Sequence, residues 1–274
     1  MSRTIRKPVK RIIVLLIILG LIFGCYFYSK EIATKRVTTK NYSYQSTTIP
    51  IEFDGFKIGF ISDIYIKDAE DIKHLEKIVE TLNQSKCDMI IFGGDLFESE
   101  IVEQETVISI LKKVEATYGK FAVLGEKDFI NLDTTISILE NSGFEVLRNV
   151  QRSIYYNNAS ISLLGLESNT DLSPFNSDKV TLAIIHEPDY FNELKNTFIG
   201  LQISGHTNGG YIYLPYIKAL STVNQGKLYN HGKYTENDST LIVSNGLGME
   251  SGHEYRFFCP MQIVVVTLKS LSTQ

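Results

Sequence analysis

The chain is poor in cysteine and proline, with three Cys and six Pro among its 274 residues. Three cysteines cannot form the framework of a disulfide-rich domain. Six prolines and 19 glycines give no low-complexity or collagen-like pattern. The content of 43% hydrophobic and 21% charged residues is that of a globular protein, which excludes disordered and coiled-coil classes. The length suits one large α/β domain or two small domains.

Positive charge is scarce in most of the chain. Nine of the 27 Lys and Arg residues lie within the first 40 positions, where there is one acidic residue. The other 234 residues therefore hold 18 basic and 30 acidic residues, a net charge of −12. Because binding to nucleic acid depends on Lys and Arg neutralising phosphates, this balance argues against nucleic acid as a partner.

Only one hydrophobic run is long enough to suggest a membrane segment. Residues 12–28 carry no charge and follow a basic segment at residues 1–11. This arrangement is typical of a signal anchor or a signal peptide, and no A-x-A cleavage site follows it. The positive-inside rule places the N-terminus in the cytoplasm and the body outside the membrane. We expect a membrane anchor at 12–28, a polar tether at 29–48 and a folded domain at 49–274.

A second interpretation of this region remains open. The residues Ile22-Phe23-Gly24-Cys25 resemble a bacterial lipobox, in which the cysteine is lipidated after cleavage, although Phe23 fits that pattern poorly. The simpler interpretation is that Cys25 is an apolar residue of the anchor. Either way the body is tethered to the outer face of the membrane. Cys87 and Cys259 lie in apolar stretches and are expected to be buried free thiols.

The domain alternates short apolar runs with helical periods. Strands are predicted at 56–61, 89–92 and 121–124, and apolar residues repeat at helical spacing between them. This order predicts a largely parallel sheet flanked by helices. The second half is richer in predicted strands and contains a hairpin signal at Asn157-Asn158-Ala159. No repeat or linker divides the two halves, so one α/β domain is expected.

Polar residues follow the predicted strands at their carboxyl ends. Ligand sites of open α/β sheets lie at these ends, and carboxylates with imidazoles are ligands for divalent metals. A lone Asp after a strand is more often a helix cap, and a lone His is more often a packed core residue. The signal is therefore the ordered set as a whole: Asp63, Asp95, Glu126 to Asp128, His186 and His206.

With these residues in order, the chain resembles the calcineurin-like metallophosphoesterases, in particular the membrane-anchored bacterial branch that is similar to UDP-2,3-diacylglucosamine hydrolases. The resemblance covers about residues 56–268. It implies a two-sheet αββα sandwich. The segments that carry it are Asp63-Ile64-Tyr65 for the family's D-x-H, Gly94-Asp95-Leu96-Phe97-Glu98 for G-D-x-x-[DE], Gly125-Glu126-Lys127-Asp128 for G-N-H-[DE], His186-Glu187-Pro188-Asp189 for H-x-P-D, Gly205-His206-Thr207-Asn208-Gly209-Gly210 for G-H-T-H-G-G, and the closing residues Ser244 to Gly248 with Arg256-Phe257.

The resemblance implies a two-metal site, and this chain departs from it at the first metal. The ligands there would be Asp63, the bridging Asp95, and the residues at 65 and 208. The family has His at those last two positions, whereas this chain has Tyr65 and Asn208. A neutral tyrosine and an amide replace imidazole poorly as ligands of transition metals. We therefore expect the first metal position to be lost.

The second metal position is expected to be complete. Its ligands would be Asp95, Glu126, His186 and His206, which suit one Zn²⁺, Mn²⁺ or Fe²⁺ ion. Lys127 replaces a family His that assists the leaving group, and Asp128 follows it in the same motif, so these two residues are the catalytic candidates that the resemblance implies. We consider two hypotheses for Lys127: a surface lysine, or an ammonium group that replaces the missing cation beside Asp63 and Asp95.

Two functions remain open at this point. The first is a pseudo-phosphoesterase that binds an envelope phospho-compound or a protein partner at the membrane, with one metal or none. The second is a one-metal hydrolase of a phosphoester or pyrophosphate. With one dication the site would be close to neutral, and a phosphoryl transition state needs a positive field. Ordinary two-metal hydrolysis is therefore not expected.

Overall fold

A computed structural model describes residues 7–168, 170–175 and 181–271. The first element is helix α1 (Lys7–Phe27), which continues as a π-helical turn at Tyr28–Ile32. The stretch Pro8–Ile32 is long and apolar enough to cross a membrane, with a mean hydropathy of 2.5, and almost none of it is buried against the rest of the protein. The residues 1–6 of the basic segment and the terminal residues 272–274 lie outside the described part of the chain.

Two six-stranded sheets form the body. In the first, all neighbouring strands are parallel except the pair formed by Met261–Ser270 and Lys57–Ile61. Its strands, in spatial order, are β1 (Val37–Ser46), β14 (Met261–Ser270), β2 (Lys57–Ile61), β3 (Met89–Phe92), β4 (Lys120–Ala122) and β5 (Glu145–Val146).

The second sheet has a parallel centre and antiparallel pairs at both edges. In spatial order it contains β12 (Gly232–Glu236), β13 (Ser239–Val243), β9 (Ile199–Ser204), β8 (Thr181–Ile184), β7 (Ala159–Gly165) and β6 (Val150–Tyr156). A separate two-stranded hairpin is formed by β10 (Tyr213–Leu214) and β11 (Lys218–Ala219). The hairpin predicted at Asn157 is confirmed, because β6 and β7 flank it.

The two sheets pack face to face, and helices cover their outer faces. Phe60 and Ile91 of the first sheet share one buried cluster with Leu163 and Ile203 of the second. The outer face of the first sheet packs against α2 (Ala69–Gln84), α3 (Gln104–Leu111) and α4 (Leu132–Asn141). The outer face of the second sheet is covered in part by the short helix α5 (Phe191–Leu194). The predicted αββα sandwich with one N-terminal apolar helix is therefore confirmed.

The segment expected to be a tether contains an edge strand. Residues 37–46 pair in parallel with Met261–Ser270 along their whole length, so the prediction of a tether at 29–48 is wrong for these ten residues. The segment looked like a tether because it is polar. An edge strand tolerates such a sequence, since only one of its edges is paired and most of its side chains lie at the surface. Tyr44 is its buried contact with the core.

Candidate metal centre

The polar residues at the strand ends adopt an unusual backbone conformation. Five of the sequence-predicted site residues have positive φ: Asp63 at 55°, Tyr65 at 52°, Asp95 at 61°, His206 at 69° and Asn208 at 51°. Such angles are uncommon outside glycine and cluster at functional sites. These angles turn the backbone sharply after each of these strands, so that the side chains are directed along the sheet edge toward one another.

Two glycines allow these loops to approach closely. A Cβ atom at Gly94 would lie 2.4 Å from the backbone nitrogen of Gly125 and 2.8 Å from Nδ1 of His186, and φ there is 100°. A Cβ atom at Gly205 would lie 2.4 Å from Oδ2 of Asp63. Both positions require glycine because the neighbouring atoms occupy the space of a side chain.

Three buried side chains converge where these loops meet. Each of Asp63, Asp95 and His186 offers a ligand atom that lies within 4.8 Å of the other two. The Nε2 atom of His186 is 3.3 Å from Oδ2 of Asp95 and 3.8 Å from Oδ1 of Asp63. None of the three is more than 1% exposed. We call Asp63, Asp95 and His186 the acidic cluster.

Hydrogen bonds around the acidic cluster leave two atoms that fit a metal ion. Nδ1 of His186 donates to the carbonyl oxygen of Gly93 at 2.7 Å, since a carbonyl can only accept. In the neutral ring Nε2 then carries a lone pair directed at the carboxylates, which is the usual orientation of a metal-bound histidine. Nε2 of His186 and Oδ2 of Asp95 are buried and have no hydrogen-bond partner among the described residues. The donor set fits one divalent ion.

The electrostatics of the acidic cluster follow from burial and mutual attraction. Burial alone lowers the pKa of His186, but the charges of Asp95 and Asp63 outweigh it and raise the pKa well above its usual value. Burial raises the pKa of Asp63, and His186 opposes this only in part. For Asp95 the effect of burial is outweighed by His186, so its pKa lies below the usual value. The two carboxylates thus surround the imidazole of His186 with negative charge.

Tyr65 and Asn208 lie beside the acidic cluster and bond to each other. The hydroxyl of Tyr65 donates to Oδ1 of Asp63 at 3.2 Å and accepts from Nδ2 of Asn208 at 2.9 Å. Oδ1 of Asn208 in turn accepts from Arg256 at 3.2 Å. Because a guanidinium only donates, Arg256 fixes the orientation of the Asn208 amide. The direction of each hydrogen bond from Arg256 through Asn208 and Tyr65 to Asp63 follows from this. The oxygens of Asp63 accept hydrogen bonds from the hydroxyls of Tyr65 and Ser62 and from the backbone nitrogen of His206.

Arg256 is fully buried and supports this side of the centre. Its guanidinium donates to the carbonyl oxygens of Asn245 at 2.7 Å, Gly248 at 2.8 Å and Cys259 at 3.2 Å. It also lies over the ring of Tyr211, 5.2 Å from the ring centroid. The sequence marked Arg256 only as part of the closing segment. Its burial could not be predicted, since arginine is rarely buried.

Asp128 joins two loops through backbone hydrogen bonds. Its Oδ2 accepts from the backbone nitrogens of Asp95 at 2.8 Å and Gly125 at 2.9 Å, and its Oδ1 accepts from that of Leu96 at 3.0 Å. Burial, together with the charge of Asp95, raises the pKa of Asp128 to about 7. Asp128 was expected to be a catalytic residue. The structure shows it holding the loop that carries Asp95.

Glu126 and Lys127 lie elsewhere than the sequence predicted. The side chain of Glu126 is 57% exposed and lies outside the acidic cluster, so the expectation that it joins Asp95 as a ligand is not met. Nζ of Lys127 pairs with Glu250 at 2.7 Å rather than with Asp63 and Asp95. The loop turns its backbone toward the centre instead, and the nitrogen of Lys127 donates to Oδ1 of Asp95 at 2.9 Å. Burial lowers the pKa of Lys127, but Glu250 and, more weakly, Glu126 and Asp95 raise it, so the hypothesis that its ammonium replaces the missing cation stays a prediction.

His206 lies next to the acidic cluster without being one of its three members. Its ring packs edge-on against that of His186, with the centroids 5.1 Å apart. Its Nε2 donates to the carbonyl oxygen of Asn224 at 2.7 Å, which leaves Nδ1 as the acceptor. Asp63 and His186 were expected at different metal positions. The structure brings them into one cluster with Asp95 and leaves His206 at its border.

The segment after Gly248 is tied to the loops that follow the strands. Glu250 pairs with Lys127, and the carboxylate of Glu98 accepts from the backbone nitrogen of Ser251 at 2.6 Å and from its hydroxyl at 2.7 Å. The hydroxyl of Tyr211 accepts from the backbone nitrogen of Glu250 at 3.3 Å. These bonds hold the segment in place beside the centre.

The chain is similar in sequence to several bacterial proteins that are named metallophosphoesterases. A Bacillus subtilis protein named uncharacterized metallophosphoesterase YkuE is 32% identical over 260 residues, which span 90% of this chain and 91% of that protein. An Aquifex aeolicus metallophosphoesterase, also named uncharacterized, is 24% identical over 92% of this chain and 98% of its own length. A Helicobacter pylori relative with the same description is 27% identical and longer, since the match covers 59% of it. No family model matches the chain.

Solved structures resemble the chain more distantly. GAP50, described as the anchor in the inner membrane complex of Plasmodium, has a TM-score of 0.47 at 13% identity, with 77% of this chain and 80% of that chain covered. A dimetal phosphatase from Danio rerio has a TM-score of 0.43 at 12% identity, with 78% and 99% covered.

Proposed function

The chain belongs to the metallophosphoesterase family, and on that premise we propose that it is a membrane-anchored pseudo-phosphoesterase, a binding module that keeps one metal position and has lost the other. The observation that carries this proposal is the bond between Tyr65 and Asn208. These two residues stand where the resemblance implies imidazole ligands, and Tyr65 donates to Asp63 while it accepts from Asn208. A protein hydrogen-bond network takes the place of the first ion.

The remaining ion would be held by the acidic cluster, with His206 as the neighbouring imidazole. A bound divalent ion would supply Lewis-acid polarisation of an oxygen ligand. The chain's own residues orient that position: Gly93 fixes the tautomer of His186, and Asp128 fixes the loop of Asp95. The carboxylate of Glu126 is exposed and is not placed to be a ligand there, and the ammonium of Lys127 is paired with Glu250.

The charge balance of the centre also favours binding over turnover. Asp63 and Asp95 contribute two negative charges, and one dication cancels them. A second dication would add two positive charges, each worth about 4 kcal/mol at 4 Å with an effective dielectric constant near 20. Without it, the field that stabilises a phosphoryl transition state is missing. The ligand we propose is an envelope phospho-compound or a protein partner. It would bind outside the membrane, because the basic residues 1–11 favour a cytoplasmic N-terminus and so an external domain.

A one-metal hydrolase is the second candidate, and one observation favours it. Oδ2 of Asp95 and Nε2 of His186 are unpartnered in the described part of the chain, which leaves a metal position directed at the sheet edge. Such a protein would cleave a phosphoester or pyrophosphate at the membrane. The two candidates differ in turnover and agree in metal content.

Metal content and turnover together test the proposal. The full chain in detergent micelles, exposed to Mn²⁺ or Zn²⁺ and desalted, is expected to retain one equivalent by elemental mass spectrometry. Asp95→Asn keeps the side-chain shape but removes a charge from the cluster, so we expect about a thousandfold weaker binding. Glu126→Gln is the matched control, and its binding should change by less than about twofold because that carboxylate is exposed to solvent.

Each other outcome has a definite meaning. Two equivalents in the unaltered chain would show that Tyr65 and Asn208 do not block the first position. No metal in any variant would show that His186 holds a proton instead of an ion. Turnover of a chromogenic phosphodiester that disappears in Asp95→Asn would establish the hydrolase and end the proposal of a pseudoenzyme.

A further inference from the structure

The end of the apolar helix is fixed to the domain by three contacts. The backbone nitrogen of Arg256 donates to the carbonyl oxygen of Ser29 at 3.1 Å. The rings of Tyr26 and Tyr255 lie 5.7 Å apart. Nζ of Lys30 pairs with Glu254 at 3.0 Å. Residues 254–256 therefore lie at the level where the Pro8–Ile32 stretch ends.

A cavity shows which other part of the domain lies at this level. It has a volume of about 390 Å³ and lies between the helix and the domain. On the helix side it is lined by Cys25, Tyr26 and Ser29, and on the domain side by Ile212, Tyr255 and Phe257. Because Cys25 and Tyr26 belong to the apolar stretch, Ile212 and Phe257 lie beside its last turns.

The hairpin of β10 and β11 begins next to this cavity. The backbone nitrogen of Tyr213 donates to the carbonyl oxygen of Phe257 at 2.9 Å, and the nitrogen of Phe257 donates to that of Tyr211 at 2.9 Å. The hairpin is therefore anchored to the same segment that contacts the helix. Its turn and flank, with the residue after Phe257, carry four large side chains that are 58% to 104% exposed: Tyr216, Ile217, Leu220 and Phe258. We call these four residues the apolar patch.

We propose that the apolar patch lies in the interface of the same bilayer that Pro8–Ile32 crosses, so that the domain rests on the membrane through this hairpin. The occupant of the patch is lipid, at the boundary of headgroups and acyl chains. Aromatic side chains with a polar tip favour that depth, and Tyr216 is of this kind. Lys218, between the exposed residues of the hairpin, is placed to meet lipid phosphates.

Continuity with the helix distinguishes the apolar patch from other exposed apolar residues. Tyr155 is also exposed, but it lies beside the turn between β6 and β7. That turn precedes β7, whereas the metal centre follows the carboxyl ends of β8 and β9, so Tyr155 is at the opposite end of the second sheet. The loop from Gly205 to Tyr211 runs from the metal centre directly into the hairpin, so docking would hold the centre close to the bilayer surface.

The chain contains no tryptophan, which allows the depth of the apolar patch to be measured directly. Tyr216→Trp and the matched control Tyr155→Trp each introduce a single fluorophore into the full chain. Both are reconstituted into phosphatidylcholine and phosphatidylglycerol vesicles whose acyl chains are brominated near the glycerol. We expect the emission of Tyr216→Trp to be quenched about three times more strongly than that of Tyr155→Trp.

A charged variant tests that the apolar side chains produce the docking. Ile217→Asp and Leu220→Asp, added to Tyr216→Trp, should reduce the quenching to that of Tyr155→Trp while the circular dichroism spectrum is unchanged. Equal quenching of Tyr216→Trp and Tyr155→Trp would overturn the proposal. So would a blue-shifted Tyr216→Trp emission without bromine quenching, because a protein partner would then cover the patch, and so would failure of the chain to float with the vesicles. None of these measurements depends on metal content or turnover.

Discussion

Replacing Arg256 by methionine is expected to lower the free energy of unfolding of the domain by about 3–5 kcal/mol. The guanidinium is fully buried and donates to the carbonyl oxygens of Asn245, Gly248 and Cys259 and to the side chain of Asn208. A hydrogen bond to a charged group contributes about 1.5–3 kcal/mol net, and several are lost together. Relief of the desolvation cost of the cation offsets part of this loss. The transition should be followed by circular dichroism in urea, because the chain lacks tryptophan.

Two variants separate the geometry of Arg256 from its charge. Arg256→Lys keeps the charge but cannot reproduce the planar fork that reaches several carbonyls, so it should recover less than half of the loss. Arg152→Met removes an arginine whose partner is the half-exposed Glu145, and it should change stability by less than about 1 kcal/mol. If Arg256→Met unfolds at the same urea concentration as the unaltered chain, the closing segment is held by packing alone.

The strands could be predicted from the sequence because their apolar runs are bounded by polar turns. Met89–Phe92 was predicted with both ends correct, since all four of its residues are buried between two layers. The edge strand Val37–Ser46 was missed for the opposite reason. Its residues are mostly polar, and what makes it a strand is the long partner Met261–Ser270, which lies at the other end of the chain.

The metal centre could be predicted as a set of residues but not as a geometry. Asp63, Asp95 and His186 were all expected at strand ends, and the structure brings them together. The sequence did not indicate how the side chains of the loop Gly125 to Asp128 are oriented relative to the centre. That depends on the backbone hydrogen bonds of the loop to Asp95 and Asp128, which leave Glu126 exposed and Lys127 paired with Glu250. The hydrogen bonds from Arg256 through Asn208 and Tyr65 to Asp63 could not be predicted either, because they also depend on the folded geometry.

Changing Tyr65→His and Asn208→His together is expected to add a second metal equivalent to the chain. The two imidazoles would return to either side of Asp63, whose Oδ1 no longer accepts from a hydroxyl. Both positions have φ near 50°, a conformation in which histidine is among the tolerated residues. The double variant should be less stable than the unaltered chain without metal, because three hydrogen bonds are lost. It should regain stability when Mn²⁺ or Zn²⁺ is added.

The matched control for this change is Tyr65→Phe. It removes the same hydroxyl from Asp63 but supplies no ligand, so it should lose stability and still bind one equivalent. If Tyr65→Phe also takes up a second ion, the hydroxyl alone blocked the position and imidazole is not required. If the double variant keeps its circular dichroism spectrum and binds only one ion, the first position has been lost through more than these two residues.

Phosphodiester hydrolysis is the further result expected when Lys127→His and Glu126→Asn are added to the double variant. The second dication supplies the positive field that the unaltered centre lacks, and even one of its two charges, worth about 4 kcal/mol at the transition state, corresponds to about a thousandfold in rate. Of the two added changes, Lys127→His should have the larger effect. It breaks the ion pair with Glu250 and places an imidazole on the loop beside Asp95, whereas Glu126 is exposed to solvent and away from the cluster. A quadruple variant that binds two metals without turnover would locate the remaining block at the segment that Glu98 and Tyr211 hold in place.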